Sequence, residues 1–252
     1  MIWYQSGGDG SRTVLLLHGL GATAAVWKSV TRALTDRGGV RWLSADLGGH
    51  GGSDWQSSYS VGQLAAQLAE LAQQQQRREL FVVGHSLGAY VGLALASGWF
   101  GIEVRGLLGI GPKIDWPGAD LQAARELAVR PVRWYATGEE ASARYRRVAG
   151  LSADIAPEEE WLARGVVRGE HGWRLAQDPR TFAVAGAPFA SLAASSTARV
   201  LLARGERDPM VSLQELRMHA PQACDIAGAG HNAHIEEPGT VLTLLEQLFA
   251  GV

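Results

Sequence analysis

An α/β fold, with a mostly parallel central sheet flanked by helices, is expected from three features of this 252-residue chain. Glycine-bounded apolar runs recur at residues 13–17, 40–45, 80–83 and 104–110. They lack clean polar alternation, as strands buried on both faces do. Between them lie segments whose apolar residues recur at helical spacing. Strands and helices that alternate in this way build βαβ units, with helices on both faces of one sheet.

The opening run Met1-Ile2-Trp3-Tyr4-Gln5-Ser6-Gly7-Gly8-Asp9-Gly10 has neither the basic start nor the apolar centre of a signal peptide. Gly7 to Gly10 lacks the following helix and lysine of a phosphate-binding loop, so it reads as a turn. Strand 13–17 is followed by a helix over 24–34, with Val26, Trp27, Val30, Ala33 and Leu34 on one face. After strand 40–45, residues 61–71 repeat that spacing through Val61, Leu64, Ala65, Leu68 and Leu71. Ser60 is placed to cap that helix, and the polar patch from Gln73 to Gln76 ends it.

The rhythm breaks after Gly111-Pro112. Residues 112–194 are richer in arginine, acids and tryptophan, with helical patterns and no clear strand. The alternation resumes with strands at 198–203 and near Cys224, and a last helix spans 240–249. An insertion of about 80 residues is too long for a plain loop. It reads as a helical cap over the carboxyl ends of the strands, where open α/β sheets bind ligands. The expected division is a core of residues 1–111 and 195–252, with the cap, 112–194, inserted after the sixth strand.

Hydrophobic content of 46% with 19% charged residues suits a globular protein with a sizeable core. A formal charge of −2 gives no reason to expect nucleic acid or an anionic membrane as partner. The single cysteine, Cys224, excludes an intramolecular disulfide and reads as an inert thiol. No apolar run approaches the length of a membrane span, so a cytoplasmic monomer or homodimer is expected. The seven histidines are scattered without ligand spacing, so neither a metal nor a cofactor is expected.

Chemistry is concentrated at the ends of the strands. Gly84-His85-Ser86-Leu87-Gly88 stands between an apolar strand and a helix, where a sharp turn lifts a serine oxygen above the sheet edge. A serine hydroxyl needs a positioned base, oriented in turn by a carboxylate. Asp208, in Gly205-Glu206-Arg207-Asp208, follows the strand at 198–203, and His231, in Gly228-Ala229-Gly230-His231, follows the next. An anionic intermediate also needs backbone donors. The amides of Leu20, in Leu17-His18-Gly19-Leu20-Gly21, and of Leu87 are the expected oxyanion-hole pair.

These motifs resemble the α/β-hydrolase superfamily in its cap-bearing branch, as do Asp46-Leu47-Gly48-Gly49-His50-Gly51-Gly52-Ser53 and Gly230-His231-Asn232-Ala233-His234-Ile235-Glu236-Glu237-Pro238. The resemblance covers the sheet domain nearly end to end and leaves the cap unmatched. Gly48 departs from the proline that the family usually carries there. The resemblance implies Ser86, Asp208 and His231 as nucleophile, acid and base. A serine at that position argues against haloalkane dehalogenases and leaves esterases, lactonases, thioesterases, amidases, C–C hydrolases and perhydrolases open.

Other residues compete for roles. Asp115 follows a strand and is the rival acid, while His234 is the rival base. His85 is expected to pack beside the elbow, His18 to organise its loop, and Asp46 to hold loop amides. Lys113 either reaches the crevice to hold a substrate carboxylate or faces solvent. The cap supplies Trp116, Trp134, Tyr135, Tyr145, Trp161 and Trp173, mostly as cap core. Gly19, Lys113, Trp116, Trp134 and Tyr135 are the expected substrate contacts. The cap arginines, Arg125, Arg130, Arg133, Arg144, Arg146 and Arg147, are expected in solvent or in exposed ion pairs.

The expected function is hydrolysis of a small acyl compound, most simply a carboxylic ester, lactone or thioester, through an acyl-enzyme on Ser86. The alternatives are a C–C hydrolase or a lyase similar to the pyruvate-eliminating synthase of menaquinone biosynthesis. Members of the latter group carry an arginine just after the elbow, where this chain has Ala89-Tyr90. A third alternative is a non-catalytic ligand-binding protein on the same fold.

Overall fold

The computed structural model describes residues 1–75, 79–151 and 163–251. Gln76 and Trp161, named above, lie outside the described residues. Seven strands form the main sheet: β1 (Tyr4–Gly8), β2 (Arg12–Leu17), β3 (Val40–Ala45), β4 (Glu79–His85), β5 (Gly106–Ile110), β8 (Arg199–Gly205) and β9 (Cys224–Ile226). Their spatial order is β1-β3-β2-β4-β5-β8-β9. Only β1 runs antiparallel, pairing with β3. The parallel register sets Leu15 beside Leu43 and Val82, and Leu108 beside Val83 and Leu201.

Alternation along β2 divides the core into two layers. Val14 and Leu16 join Val30 and Leu34 of α1 (Lys28–Arg37) and Leu245 and Leu248 of the last helix, Pro238–Ala250. Leu15 and Leu17 face the other way, onto Leu64 and Leu68 of α2 (Val61–Gln74) and Val91 of α3 (Leu87–Leu95). Each such leucine, removed from water, contributes roughly 1.5–3 kcal/mol. A short 3-10 turn, Ala24–Trp27, precedes α1. The Ser60 hydroxyl caps α2 by accepting from the Gln63 amide at 3.1 Å. Among the described residues no helix is long and apolar enough to cross a membrane.

Three expectations need correction. Strand β1 was absent from the sequence reading, because Gln5-Ser6-Gly7-Gly8 has no apolar run; its register comes from pairing with β3. The Gly7–Gly10 turn therefore begins inside a strand and is confined to Asp9 and Gly10. The cap follows the fifth strand of the chain, not the sixth, since only β1 precedes the parallel set.

The cap is also not wholly helical. It contains α4 (Gly118–Ala128), α5 (Gly138–Val148), a hairpin of β6 (Val166–Gly169) and β7 (Gly172–Leu175), and a 3-10 helix at Pro179–Val184. Each hairpin strand has four residues and carries an arginine, so neither forms the apolar run that marks a buried strand. A bridge between Tyr135 and Trp173 extends the pairing. α6 (Phe189–Ser195) falls inside the expected 112–194 insertion, yet it packs on the core. Its Phe189 ring lies 5.1 Å from Tyr90 of α3 and 5.3 Å from His219 of α7 (Leu213–His219).

Candidate active site

Four loops at the carboxyl ends of the parallel strands meet under the cap. Between β4 and α3, Ser86 has φ 49° and ψ −113°. Among the described residues it is the one non-glycine with positive φ. Such a backbone is strained for any side chain, and it persists only where the surroundings enforce it. Here the enforcement is close packing of glycine backbone. A Cβ on Gly84 would lie 2.3 Å from the Gly88 carbonyl oxygen, and one on Gly88 would lie 2.2 Å from that of Leu17. The Ser86 amide is fixed by donating to the Ile110 carbonyl at 2.8 Å.

His231 Nδ1 lies 2.7 Å from Asp208 Oδ2. The Asp208 side chain is fully buried, and its Oδ1 accepts from the Met210 amide at 2.9 Å. A carboxylate so held accepts from Nδ1–H and turns Nε2 away from itself. Ser86, His231, Leu20 and Leu87 line one cavity of about 100 Å³, together with Tyr90, Trp116, Val184 and Met210. The Leu87 amide is the first of α3 and has no partner within its helix. Gly19 holds the neighbouring loop against the serine: a Cβ there would lie 3.2 Å from Ser86 Cβ.

A layer of neutral histidines supports these loops. His85 Nε2 donates to the His231 carbonyl at 2.9 Å, and burial holds its pKa well below the ordinary value. His18 Nδ1 donates to the Gly19 carbonyl at 2.8 Å, while its Nε2 accepts from Leu47 N at 2.9 Å. Burial pushes His18 down to about 4. His50 Nε2 accepts from the Gly21 amide at 3.1 Å, and burial pushes it down to about 3. These bonds fix both sides of the Leu20 loop.

The rivals fall away by position. His234 is fully buried between Trp27 and His85, with ring centroids at 4.5 and 4.3 Å, and burial lowers its pKa to about 3. Asp115 is exposed, and it is Asp208 that lies 2.7 Å from His231 Nδ1. Asp46 binds loop amides, accepting from Ala24 at 2.7 Å and Gly52 at 2.8 Å. Cys224 is half-buried on β9, and burial raises its thiol pKa.

Of the expected substrate contacts, Lys113 and Trp116 line the cavity. The Lys113 ammonium is already paired with Asp120 and sits 4.8 Å from the centre of the Trp116 ring. Trp134 and Tyr135 are not brought to Ser86. Trp134 packs on His171 and Gly169 in the hairpin, and Tyr135 pairs with Trp173 and lines a separate pocket inside the cap. Both lie against the small cap hairpin, which the sequence does not reveal. Sequence reasoning also missed Arg164 and Asn232. Arg164 crosses from the cap to Asp46, with Nη2 2.5 Å from Oδ2, and Asn232 bonds the carbonyl of Gly150 at 2.7 Å. Asn232 lay within the motif beside His231, but nothing in a sequence marks a bond to a cap carbonyl. Among the described residues, no group of histidines, cysteines and acids is placed to hold a metal.

Known proteins give the same fold. The chain is 26% identical over 176 residues to the Mycobacterium tuberculosis protein named Lipase LipV, covering 67% of this chain and 64% of the lipase. It thus spans less than two thirds of that relative, and 24% of a second M. tuberculosis protein that is 36% identical over 84 residues. Among solved structures, a thioesterase domain from the curacin biosynthetic pathway superposes with a TM-score of 0.77 at 22% identity, covering 96% of this chain and 94% of that one. E-2-(acetamidomethylene)succinate hydrolase superposes with a TM-score of 0.77 at 22% identity, with 98% and 94% coverage. A marine microorganism esterase gives 0.73 at 18% identity, with 98% of each chain covered. The family profile matches residues 14–244, from the second strand to the last helix. The chain belongs to the alpha/beta hydrolase family.

Proposed function

We propose that this protein is a serine hydrolase that cleaves a small carboxylic ester, through an acyl-enzyme on Ser86. The observation that carries the reading is the strained Ser86 elbow sharing one cavity with a His231 ring that Asp208 holds at 2.7 Å. His231 Nε2 takes the Ser86 proton as Oγ attacks the ester carbonyl. The resulting oxyanion accepts from the Leu20 and Leu87 amides. The imidazolium then protonates the departing alkoxide, the C–O bond breaks, and the acyl group remains on Ser86. Water attacks next, losing its proton to His231, and the acid leaves as Ser86 Oγ takes that proton back.

Several features support an ester of a short acid. The cavity lining is mainly apolar, and its volume of about 100 Å³ is below the roughly 150 Å³ that holds benzene. Its lining cation, Lys113, is committed to Asp120, which disfavours the carboxylate-bearing substrate of the elimination reading. Relatives and neighbours named as a lipase, a thioesterase and an esterase are consistent with acyl transfer. Replacing Ser86 with alanine should lower kcat on 4-nitrophenyl acetate by at least about a thousandfold without unfolding the protein. A fluorophosphonate should add to the wild type alone, read by intact mass. Full turnover by the alanine variant would exclude the mechanism.

A further inference from the structure

The cap holds a second cavity, of about 120 Å³, that shares no lining residue with the Ser86 cavity. Leu127, Val132, Leu175 and Phe182 form its apolar floor. Three cations border it, Arg130, Arg133 and Arg144, and among the described residues no acid lines it. Arg130 and Arg133 are solvent-exposed, as expected of the cap arginines, and Arg144 is half-buried. Among the described residues none of the three has a carboxylate partner. The nearby Glu140 accepts from the Ala136 amide at 3.1 Å through one oxygen and makes no ion pair with Arg144. Arg133 lies over the Tyr135 ring at 5.0 Å, a contact that restrains its guanidinium at the rim.

We propose that this cap pocket binds a small free monocarboxylate, its apolar tail on the floor and its carboxylate on the arginines. Guanidinium groups match a carboxylate in pairs, and water screens the half-buried Arg144 less than the exposed Arg130 and Arg133. The volume fits a tail of about four to six carbons, being somewhat below the roughly 150 Å³ of a benzene-sized cavity. The pocket also bears on the site below. Val148 lines it, and a Cβ on Gly21 would lie 2.5 Å from Val148 Cγ1, so the wall rests on the loop that carries Leu20.

Calorimetric titration with hexanoate tests the proposal on the full chain. Hexanoate should bind the wild type, and hexanamide should bind at least about tenfold more weakly, as expected for loss of charge-assisted bonds. The Arg133→Glu/Arg144→Glu variant should lose hexanoate binding by a similar factor with an unchanged circular dichroism spectrum. Val132→Trp, which fills the hollow and leaves the arginines, should lose it as well. Binding should persist after a fluorophosphonate has blocked Ser86. No binding to the wild type, equal binding to the charge-reversed variant, or loss on blocking Ser86 would each overturn the proposal. So would sulfate competing as strongly as hexanoate, since the floor would then contribute nothing.

Discussion

Asn232 and Gly150 tie the cap to the loop that carries His231: the Asn232 carboxamide donates to the Gly150 carbonyl at 2.7 Å and to that of Ala149 at 3.4 Å. Asn232 is buried, so its removal leaves cap carbonyls without their donor. Asn232→Ala should cost about 1–3 kcal/mol in stability. A shifted His231 would also lower kcat/KM, by roughly tenfold for each 1.4 kcal/mol lost from the transition state. Urea unfolding with ester kinetics checks both effects. A variant equal to wild type in each would mean that the cap is not held through this bond.

Ser86 itself carries strain that its chemistry requires, because φ is 49° at a residue with a side chain. Glycine adopts this backbone freely, whereas alanine does not. Ser86→Gly should therefore raise stability by about 1 kcal/mol over Ser86→Ala, while both lack hydrolysis. The comparison is made by denaturant midpoint. A glycine variant less stable than the alanine variant would show that the elbow is not strained.

The core strands and the Ser86, Asp208 and His231 loops were legible in the sequence, because buried parallel strands are apolar throughout and each loop has local glycine chemistry. The cap was legible only as an interruption. Its hairpin strands, with Arg168 and Arg174 in four-residue runs, carry no period that a sequence shows. Residue type alone points Trp134 and Tyr135 to the site, and the structure sets them against that hairpin. Arg164 was unreadable for a different reason. Its partner Asp46 is 118 positions away, and long-range pairing leaves no local mark.

The buried histidines make stability depend on pH. Burial lowers His18 to about 4, His50 and His234 to about 3, and His85 well below its ordinary value of 6.5. Between those values and 6.5 the unfolded chain binds protons that the folded chain does not. Stability is therefore fully present above about pH 6.5 and falls as pH drops from there toward 4. The limiting slope is about 1.4 kcal/mol per pH unit for each such histidine. Urea midpoints at pH 8.5, 7.5 and 5.5 should be nearly equal for the first two and clearly lower for the third. A midpoint unchanged at pH 5.5 would mean that water reaches these rings.

Arg164 and Asp46 form the other bridge between cap and core. The Asp46 side chain is 0% exposed and Arg164 is 21% exposed, so the carboxylate depends on its partners for compensation. Two of these partners are the amides of Ala24 and Gly52, which flank the Leu20 loop and the Gly49 turn. The guanidinium also stacks on Trp3, 3.2 Å from the ring centre. Removing the cation leaves a buried charge, at a cost of about 3–5 kcal/mol. Arg164→Ala should approach that loss. Arg164→Met, which keeps an apolar stem against Trp3, separates stacking from charge. If charge compensation dominates, both variants lose stability alike. If stacking dominates, methionine restores most of the stability. Chemical denaturation of the two variants at pH 7.5 decides between them, and a loss below about 0.5 kcal/mol for alanine would show an ion pair no stronger than an exposed one.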